Sequence, residues 1–424
     1  MIKKTGKIIL TTLIMSCMAL VSCGYEPIFY GIMNDVAPEA ATVSGNITSI
    51  ARCNVNGEEY LFLTGNGSLL YKKNSSSKHG DWSTYPGLPF ELHHYNYFST
   101  PENGHEGQQI LKVISDKDNL YILTASFTTD TQYGIVLPQK FYLWSKALSN
   151  IFAEPNAGWK NLTEGYENQF YVTAYDTNEG EFNTFFNIFS TNSPKPEHRK
   201  AYFWVTKVVD TQVVNEYYLL NGQTDFPPQK DTSVGQTNYV QTLEGNTRVN
   251  SAFYVGDTLY FSDSLVVTTN ETFEDNATYA CLGAVSQYYN STNKILLFDT
   301  TQTTEVLTSG STIASLALTK DYLIIGKGSY SSSYTTDGGI ERAALQSDGK
   351  PENKLSEFTD NAKYQFTSAY IVMTLLCADP SKTEDQACIY ASISYRGTGS
   401  SSSASPNDVG LWSYYPSRGN WNRE

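Results

Sequence analysis

One short arrangement is written three times along this chain, and it limits the fold more than any other feature. "GSLLYKKNSSSKHGDWSTYPG" runs from an apolar pair through a polar gap to Trp82. "KFYLWSKALSNIFAEPNAGWKNL" does the same up to Trp159, and "VGLWSYYPSRGNWNRE" up to Trp421. Two further runs rich in Tyr, Phe, Val, Ile and Thr precede each, punctuated by Gly, Asn, Asp and Ser. That is strand composition with turn chemistry between the strands, and helical periodicity is nearly absent after residue 24. The first unit reads "ITSIARC", "EEYLFLT", "GSLLYKK", "DWSTYP"; the second "QILKVIS", "NLYILTA", "FYLWSKAL", "GWKNLT". The last reads "FTSAYIVMTL", "ACIYASIS", "VGLWSYY", "GNWNRE". Between them stand "NQFYVTAYD", "TFFNIFS", "AYFWVTKVV", "NEYYLLNG", then "VNSAFYVGDTLYFSD" with "NKILLFDTT", then "TIASLALTKDYLIIGKG" with "GIERAALQS".

Repeats of four strands at a period of roughly 50 to 60 residues predict a β-propeller. A lone four-stranded sheet has two faces and can cover neither. Stacking twisted sheets around a closed ring buries both faces and leaves only short edges. The expected fold is therefore all-β, a propeller of six blades of four antiparallel strands, with seven blades the other count left open. Two β-sandwiches side by side are the rival arrangement; the repeated order favours the ring. Trp and Tyr near the third and fourth strands are assigned to packing between blades.

The stretch Gly67-Ser68-Leu69-Leu70-Tyr71 leading to Trp82 resembles the blade signature of PQQ-type propellers, in which Gly-x-Leu-Tyr is followed by a short loop with Gly and then Trp. An outer-membrane assembly lipoprotein of didermal bacteria has that fold and works as a scaffold. The Ala-Leu-Asp part of the signature is missing here. The same stretch is similar to the Asp-box of sialidase-type propellers, with Ser77 where the Asp should stand and Gly80 displaced.

The N-terminus supplies an address. "MIKKTGKIILTTLIMSCMALVSCG" has Lys3, Lys4 and Lys7, then an apolar stretch from Ile8 to Val21, then small residues. This is the layout of a secretory signal, too short to span a bilayer. Leu20-Val21-Ser22-Cys23 resembles the lipobox of bacterial lipoproteins. The resemblance implies lipidation at Cys23, cleavage before it, and a membrane partner held through the lipid. Two or three acyl chains anchor firmly where one holds only marginally. Gly24 stands where an inner-membrane retention Asp would be, which by the same analogy favours the outer membrane over the inner. The expected division is a signal peptide at 1–22, a lipidated tether at 23–45 and the propeller at 46–424. "PIFYGIM" in the tether is a candidate extra edge strand, and the chain end is read as a last strand.

Only 17% of residues are charged, while 13% are aromatic, so the body can bury a large core beneath a polar, weakly charged surface. A formal net charge of −14 disfavours phosphate backbones, and no nucleic-acid partner is expected. Cys377 and Cys388, in "LLCADPSKTEDQACIY", flank a polar loop between apolar runs and are the disulfide candidate. Cys53 and Cys281 read as small buried apolar residues. The cluster "HGDWSTYPGLPFELHHYNYFSTPENGHEG" holds His79, His93, His94 and His105 beside Glu106. Adjacent His93 and His94 on a strand would point to opposite faces, so a solvated loop is the reading and no metal or cofactor is expected. No nucleophile elbow, Walker loop or zinc-protease motif occurs, and no catalytic residue is named. The Ser-rich stretches "NSSSK", "GSYSSSYTTDGG" and "GTGSSSSASPND" are loops that either fill space or form an adaptable contact surface.

These observations lead to a lipid-anchored propeller of the cell envelope that binds or scaffolds a protein partner without catalysis. The alternative is a propeller that binds or hydrolyses carbohydrate, stacking exposed Tyr and Trp on sugar rings. Such a site needs a central concavity with convergent carboxylates, whereas a scaffold needs a broad patch of loops.

Overall fold

The structure is a computed structural model that describes residues 43, 47, 49–65, 68–74, 80–90, 92, 107–130, 135–165, 185–191, 193, 195–209, 212–222, 247–255, 258–266, 289–298, 303–308, 313–327, 338–358, 370–395, 409–416 and 420–424. Within them the chain folds into antiparallel sheets whose strands follow one another in sequence. The first sheet is β1 (Ile50–Val55), β2 (Glu58–Gly65), β3 (Ser68–Lys73) and β4 (Ser83–Thr84). The second is β5 (Gln108–Ser115), β6 (Asn119–Asp130), β7 (Ile135–Ala147) and β8 (Lys160–Asn161). The third has three strands, β9 (Phe185–Ser190), β10 (Ala201–Val209) and β11 (Gln212–Leu220). The fourth is β12 (Thr247–Val255), β13 (Thr258–Val266), β14 (Tyr289–Phe298) and β15 (Thr303–Thr308). The fifth is β16 (Ile313–Leu318), β17 (Tyr322–Lys327), β18 (Gly339–Leu345) and β19 (Pro351–Glu357). The sixth is β20 (Tyr370–Cys377), β21 (Ile389–Tyr395), β22 (Gly410–Tyr415) and β23 (Asn420–Arg423).

The first strands of these sheets touch in the order β1, β5, β9, β12, β16, β20 and back to β1, which makes them the inner wall of a ring. The fold is a β-propeller. Serine hydrogen bonds show that the inner strands of the first and second sheets run the same way. The Val113 amide donates to Ser49 Oγ (2.6 Å), and Ser115 Oγ donates to the Arg52 carbonyl (2.8 Å). With the Arg52 bonds to Ser193 and Ala378 and the Lys320 amide on the Lys382 carbonyl, the first–second connections of the first, second, third, fifth and sixth sheets gather at one end of the ring.

The physical argument for the ring is met by the core. One apolar cluster lies between the sixth and first sheets, with Val43, Ile50, Leu61, Leu63, Tyr390 and Leu411. A second joins the first to the second through Cys53, Phe62, Leu69, Tyr85, Val113 and Ile122. A third joins the second to the third through Tyr121, Leu123, Phe141, Ile188 and Phe203. A fourth fills the fifth–sixth interface with Ile324, Val372, Ile389, Trp412 and Trp421. The first, second and sixth sheets each alternate side chains between two such clusters, so a one-residue slip in register would exchange their contents. Trp82, Trp159 and Trp421 all pack on these clusters, as assigned from sequence.

Two glycines show the tolerances. Asn56 and Gly57 both take positive φ (52° and 87°), the geometry of the two-residue turn joining β1 to β2. Gly87 passes so close to the next sheet that a Cβ would lie 2.1 Å from the Pro155 carbonyl carbon.

Two expectations are corrected. The count of six four-stranded blades becomes five, because the third sheet has three strands among the described residues. Its inner place is taken by "FFNIFS" in β9, one step earlier in the unit than the repeat predicts, while "NQFYVTAYD" lies outside the described residues. The packed body also begins before residue 46. Val43 and Ile47 are fully buried between the first and last sheets, and the Val43 amide donates to the Glu424 carbonyl (3.1 Å). The edge-strand candidate "PIFYGIM" lies outside the described residues.

Candidate functional site

The end of the ring where the first–second connections gather carries an unusual concentration of buried charge. Arg52 sits in the middle of β1, among apolar neighbours, with its side chain 4% exposed. Its Nη2 donates to the Ser193 carbonyl (2.8 Å) and its Nη1 to the Ala378 carbonyl (3.4 Å). Ser193 follows the inner strand of the third sheet and Ala378 that of the sixth. The first and third sheets are not neighbours, so this guanidinium bridges across the axis end of the ring.

Arg199, in the β9–β10 connection, repeats the bridge from the other side. Its Nε donates to the same Ser193 carbonyl (3.1 Å) and its Nη1 to Glu59 Oε1 at the start of β2 (3.3 Å). Glu59 Oε2 lies 3.8 Å from Arg52 Nε. Among the described residues neither of these two buried atoms has a hydrogen-bond partner. Burial, and then the charge of Arg199, draw the Arg52 guanidinium down to about 10, with Glu59 opposing. At Asp379, burial raises the carboxyl, but hydrogen bonds from Ser381 and the charge of Arg52 outweigh it and hold the group below its ordinary value. Arg52 and Arg199, with Glu59 beside both, thereby form a clasp on the Ser193 carbonyl.

Above this clasp, on the inner strand of the second sheet, stands Lys112. A bulge shifts the register of β5 between Ile110 and Lys112, and Lys112 then pairs with Leu123, whose side chain faces the third sheet. Lys112 keeps some accessible surface, yet desolvation by the protein around it lowers its amine to about 8. Among the described residues no charge offsets that burial.

The turns at this end are tied by side chains in a common way. Asp116 Oδ1 accepts from the amides of Asp118 (2.7 Å) and Asn119 (2.6 Å), and Oδ2 from the Tyr121 hydroxyl (2.6 Å). Thr319 Oγ1 accepts from the Tyr322 amide (2.9 Å), and Asp379 Oδ1 from the Ser381 amide (3.0 Å). Such Asx and ST turns fix where the inner strands end, and with them the position of the clasp.

Of the site residues read from sequence, the structure corrects one pair. Cys377 and Cys388 are buried free thiols. Cys377 pairs with Ile389, while the Ala378 amide donates to the Cys388 carbonyl, so the cysteines are offset by one residue across the strands. The pleat then sends them to opposite faces, Cys377 into the fifth–sixth cluster and Cys388 into the sixth–first cluster. Burial pushes each thiol up to about 12. Cys53 is buried as expected. Cys23, Cys281, His79, His93, His94, His105, Glu106 and most of the Ser-rich stretches lie outside the described residues. Among the described residues, no three metal-ligating side chains come together and no helix is long and apolar enough to cross a membrane.

Arg52, Glu59, Arg199 and Lys112 were not singled out from sequence. The signal was present in "IARCNV" and "QILKVIS", each an apolar run for an inner strand interrupted by one cation.

No protein-family model matches the chain, and no curated relative does. Solved structures share its general course at low similarity. A thermostable family-43 glycoside hydrolase matches with 12% identity and a TM-score of 0.34, covering 78% of this chain and 99% of its own. An endo-arabinanase from Bacillus licheniformis gives 14%, 0.31, 74% and 99% in the same order. A puromycin hydrolase gives 10% and 0.40, covering 91% of this chain, which spans only 47% of that enzyme.

Proposed function

We propose that this chain is a carbohydrate-recognising propeller, taking its ligand into the ring from the end opposite the clasp. The observation that carries this reading is the Arg52–Ser193 bridge between non-neighbouring sheets. It ties the first, third and sixth sheets together at one end of the ring, and the opposite end is the one assigned to the ligand. Glu59 and Asp379, the carboxylates nearest Arg52 in charge, are acceptors of the kind a polyhydroxylated ligand requires. Recognition, rather than bond cleavage, is the activity assigned.

The protein is placed in the cell envelope, anchored through lipid at Cys23 and facing its ligand from the outer membrane. Residues 1–22 act as the signal peptide. Screening the full chain against a glycan array, alongside pull-down from detergent-solubilised envelope, tests the main reading. Selective glycan binding, competed by the free sugar, is the expected result. A co-purifying protein in the absence of any glycan binding overturns it and restores the scaffold. For the anchor, Cys23→Ala should abolish labelling by a palmitate analogue, and persistent labelling removes it.

A further inference from the structure

Every joint of the ring but one is crossed by the chain itself, because neighbouring sheets are consecutive in sequence. The joint between the sixth sheet and the first is the exception. All four strands of the sixth sheet come from Tyr370–Arg423, so among the described residues no strand from the start of the chain is woven into it. What crosses the joint instead is a short segment that runs in ahead of β1. Val43 and Ile47 are 0% and 1% exposed in the sixth–first cluster, between Leu61 and Leu63 of the first sheet and Tyr390 and Leu411 of the sixth. The Val43 amide donates to the Glu424 carbonyl just past β23 (3.1 Å), and the Ile47 carbonyl accepts from Ser392 Oγ in β21 (2.7 Å). Ser49 Oγ accepts from the Val113 amide on the inner strand of the second sheet (2.6 Å). The segment thus bears on three sheets.

This joint is packed like the others but costs more chain entropy to close. Lys72 and Glu424, which pair across it, lie 352 positions apart. The entropy of bringing two parts of a chain together grows with the length between them, and it is recovered when they separate. Sheets at any other joint stay leashed by the connection between them. At the sixth–first joint only side-chain packing, the bonds to Glu424 and the segment from Val43 to Ser49 oppose separation, with the bonds that Arg52 and Asn74 make to the Ala378 carbonyl.

We infer that residues 43–49 are the locking pin of the ring: the sixth–first seam opens as a unit, ahead of the other joints, and this segment holds it shut. The opened form keeps the ladder of each sheet and uncovers the apolar faces that met at the seam, a local event rather than global unfolding. The inference stands apart from the carbohydrate reading and from the lipid at Cys23. Where the chain is anchored there, the tether joins the ring at its pin.

The molecule carries its own probes. Cys388 lies in the sixth–first cluster, Cys377 in the fifth–sixth and Cys53 in the first–second, all three buried and unbonded. Burial pushes each thiol up to about 12, so differences in their reactivity report access rather than acidity. The full chain is treated with a small thiol reagent under native conditions, and each site is followed by mass spectrometry. Cys388 should react at least about tenfold faster than Cys53 and Cys377. Ile47→Ala, which leaves a hole in the seam, should speed Cys388 by about a further tenfold or more and leave the other two within about twofold. Ser392→Ala, which removes the hydroxyl holding the Ile47 carbonyl, should do the same more weakly. Reaction of Cys388 no faster than the other two overturns the inference. A fast Cys388 that neither variant speeds also overturns it, since the thiol is then reached by motion that does not involve the pin. Equal acceleration of all three marks global unfolding and overturns it as well. Should Ile47→Ala fail to fold, Ser392→Ala and the wild type decide by the same criteria.

Discussion

Two interfaces of the ring use the same side chains and complete them differently. Lys72 on β3 and Lys146 on β7 occupy equivalent places, each one residue beyond the last pair that joins the third strand to the fourth. Each lies against the Trp that opens the fourth strand, at 4.9 Å for Trp82 and 5.3 Å for Trp159. Each also meets a Tyr of the preceding sheet, Tyr390 at 4.9 Å and Tyr85 at 6.0 Å. Beyond this they diverge. Lys72 pairs with the Glu424 carboxylate (2.9 Å), which also accepts from the Gly80 amide (2.8 Å), Trp82 Nε1 (2.8 Å) and Ser413 Oγ (2.5 Å). Among the described residues Lys146 meets no carboxylate there, and it donates to the carbonyls of Glu154, Pro155 and Ala157. The sixth–first joint is thus closed by an ion pair between sheets far apart in sequence, and the first–second joint by a local loop folded around an ammonium. A repeat can conserve a position's geometry while its partner changes from charge to dipole.

The largest effect should come from the ion pair. Its side chains are 3% and 0% exposed, so Glu424→Ala strands a buried ammonium and the donors of Gly80, Trp82, Ser413 and Tyr415. A loss of about 3–5 kcal/mol is expected in urea unfolding. The double change Lys72→Met with Glu424→Leu should recover much of that loss; no recovery would mean that packing, not charge, holds the joint. Next in size is Gly87→Ala, which drives a methyl into the Pro155 carbonyl and moves the loop that cages Lys146. About 1–3 kcal/mol is expected, together with altered fluorescence of Trp159, whose Nε1 donates to the Gly87 carbonyl (2.7 Å). Lys146→Met, which keeps the stem but leaves carbonyls without a donor, should cost about 1–3 kcal/mol. A cost equal to that of Glu424→Ala would erase the contrast between the two joints.

pH sharpens the same comparison. Desolvation holds the Lys146 amine below the ordinary lysine value of 10.5, with the charge of Glu154 opposing. The unfolded chain therefore binds more protons than the folded one between the lowered value and 10.5. Wild-type stability relative to Lys146→Met should rise with pH through that window. A flat difference in unfolding free energy across the alkaline range would contradict the assignment. The smallest effect belongs to the cysteines of the sixth sheet. With Cys377 and Cys388 unbonded, a reducing agent should leave the melting temperature unchanged, and a drop would reinstate the bridge.

Much of the ring was legible because inner and second strands carry long apolar runs and the repeated Trp marks the fourth strand in three units. The outer strands without a Trp were not legible. β19, "PENKLSE", exposes most of its residues, so neither alternation nor apolarity announces it. In the third unit, "NQFYVTAYD" and "TFFNIFS" look equally strand-like, and only contact with β5 and β12 shows that β9 is innermost. The disulfide expectation failed on a single residue of register, which sequence spacing does not encode. The clasp was hidden for a different reason: Arg52, Glu59 and Arg199 meet only because the ring closes, and no local pattern connects residue 52 to residue 199.

The bridge from Arg52 to Ser193 has a topological consequence. Like a chord drawn inside a circle, it skips the second sheet, so the first and third cannot drift apart without tearing it even where the sheet between them loosens.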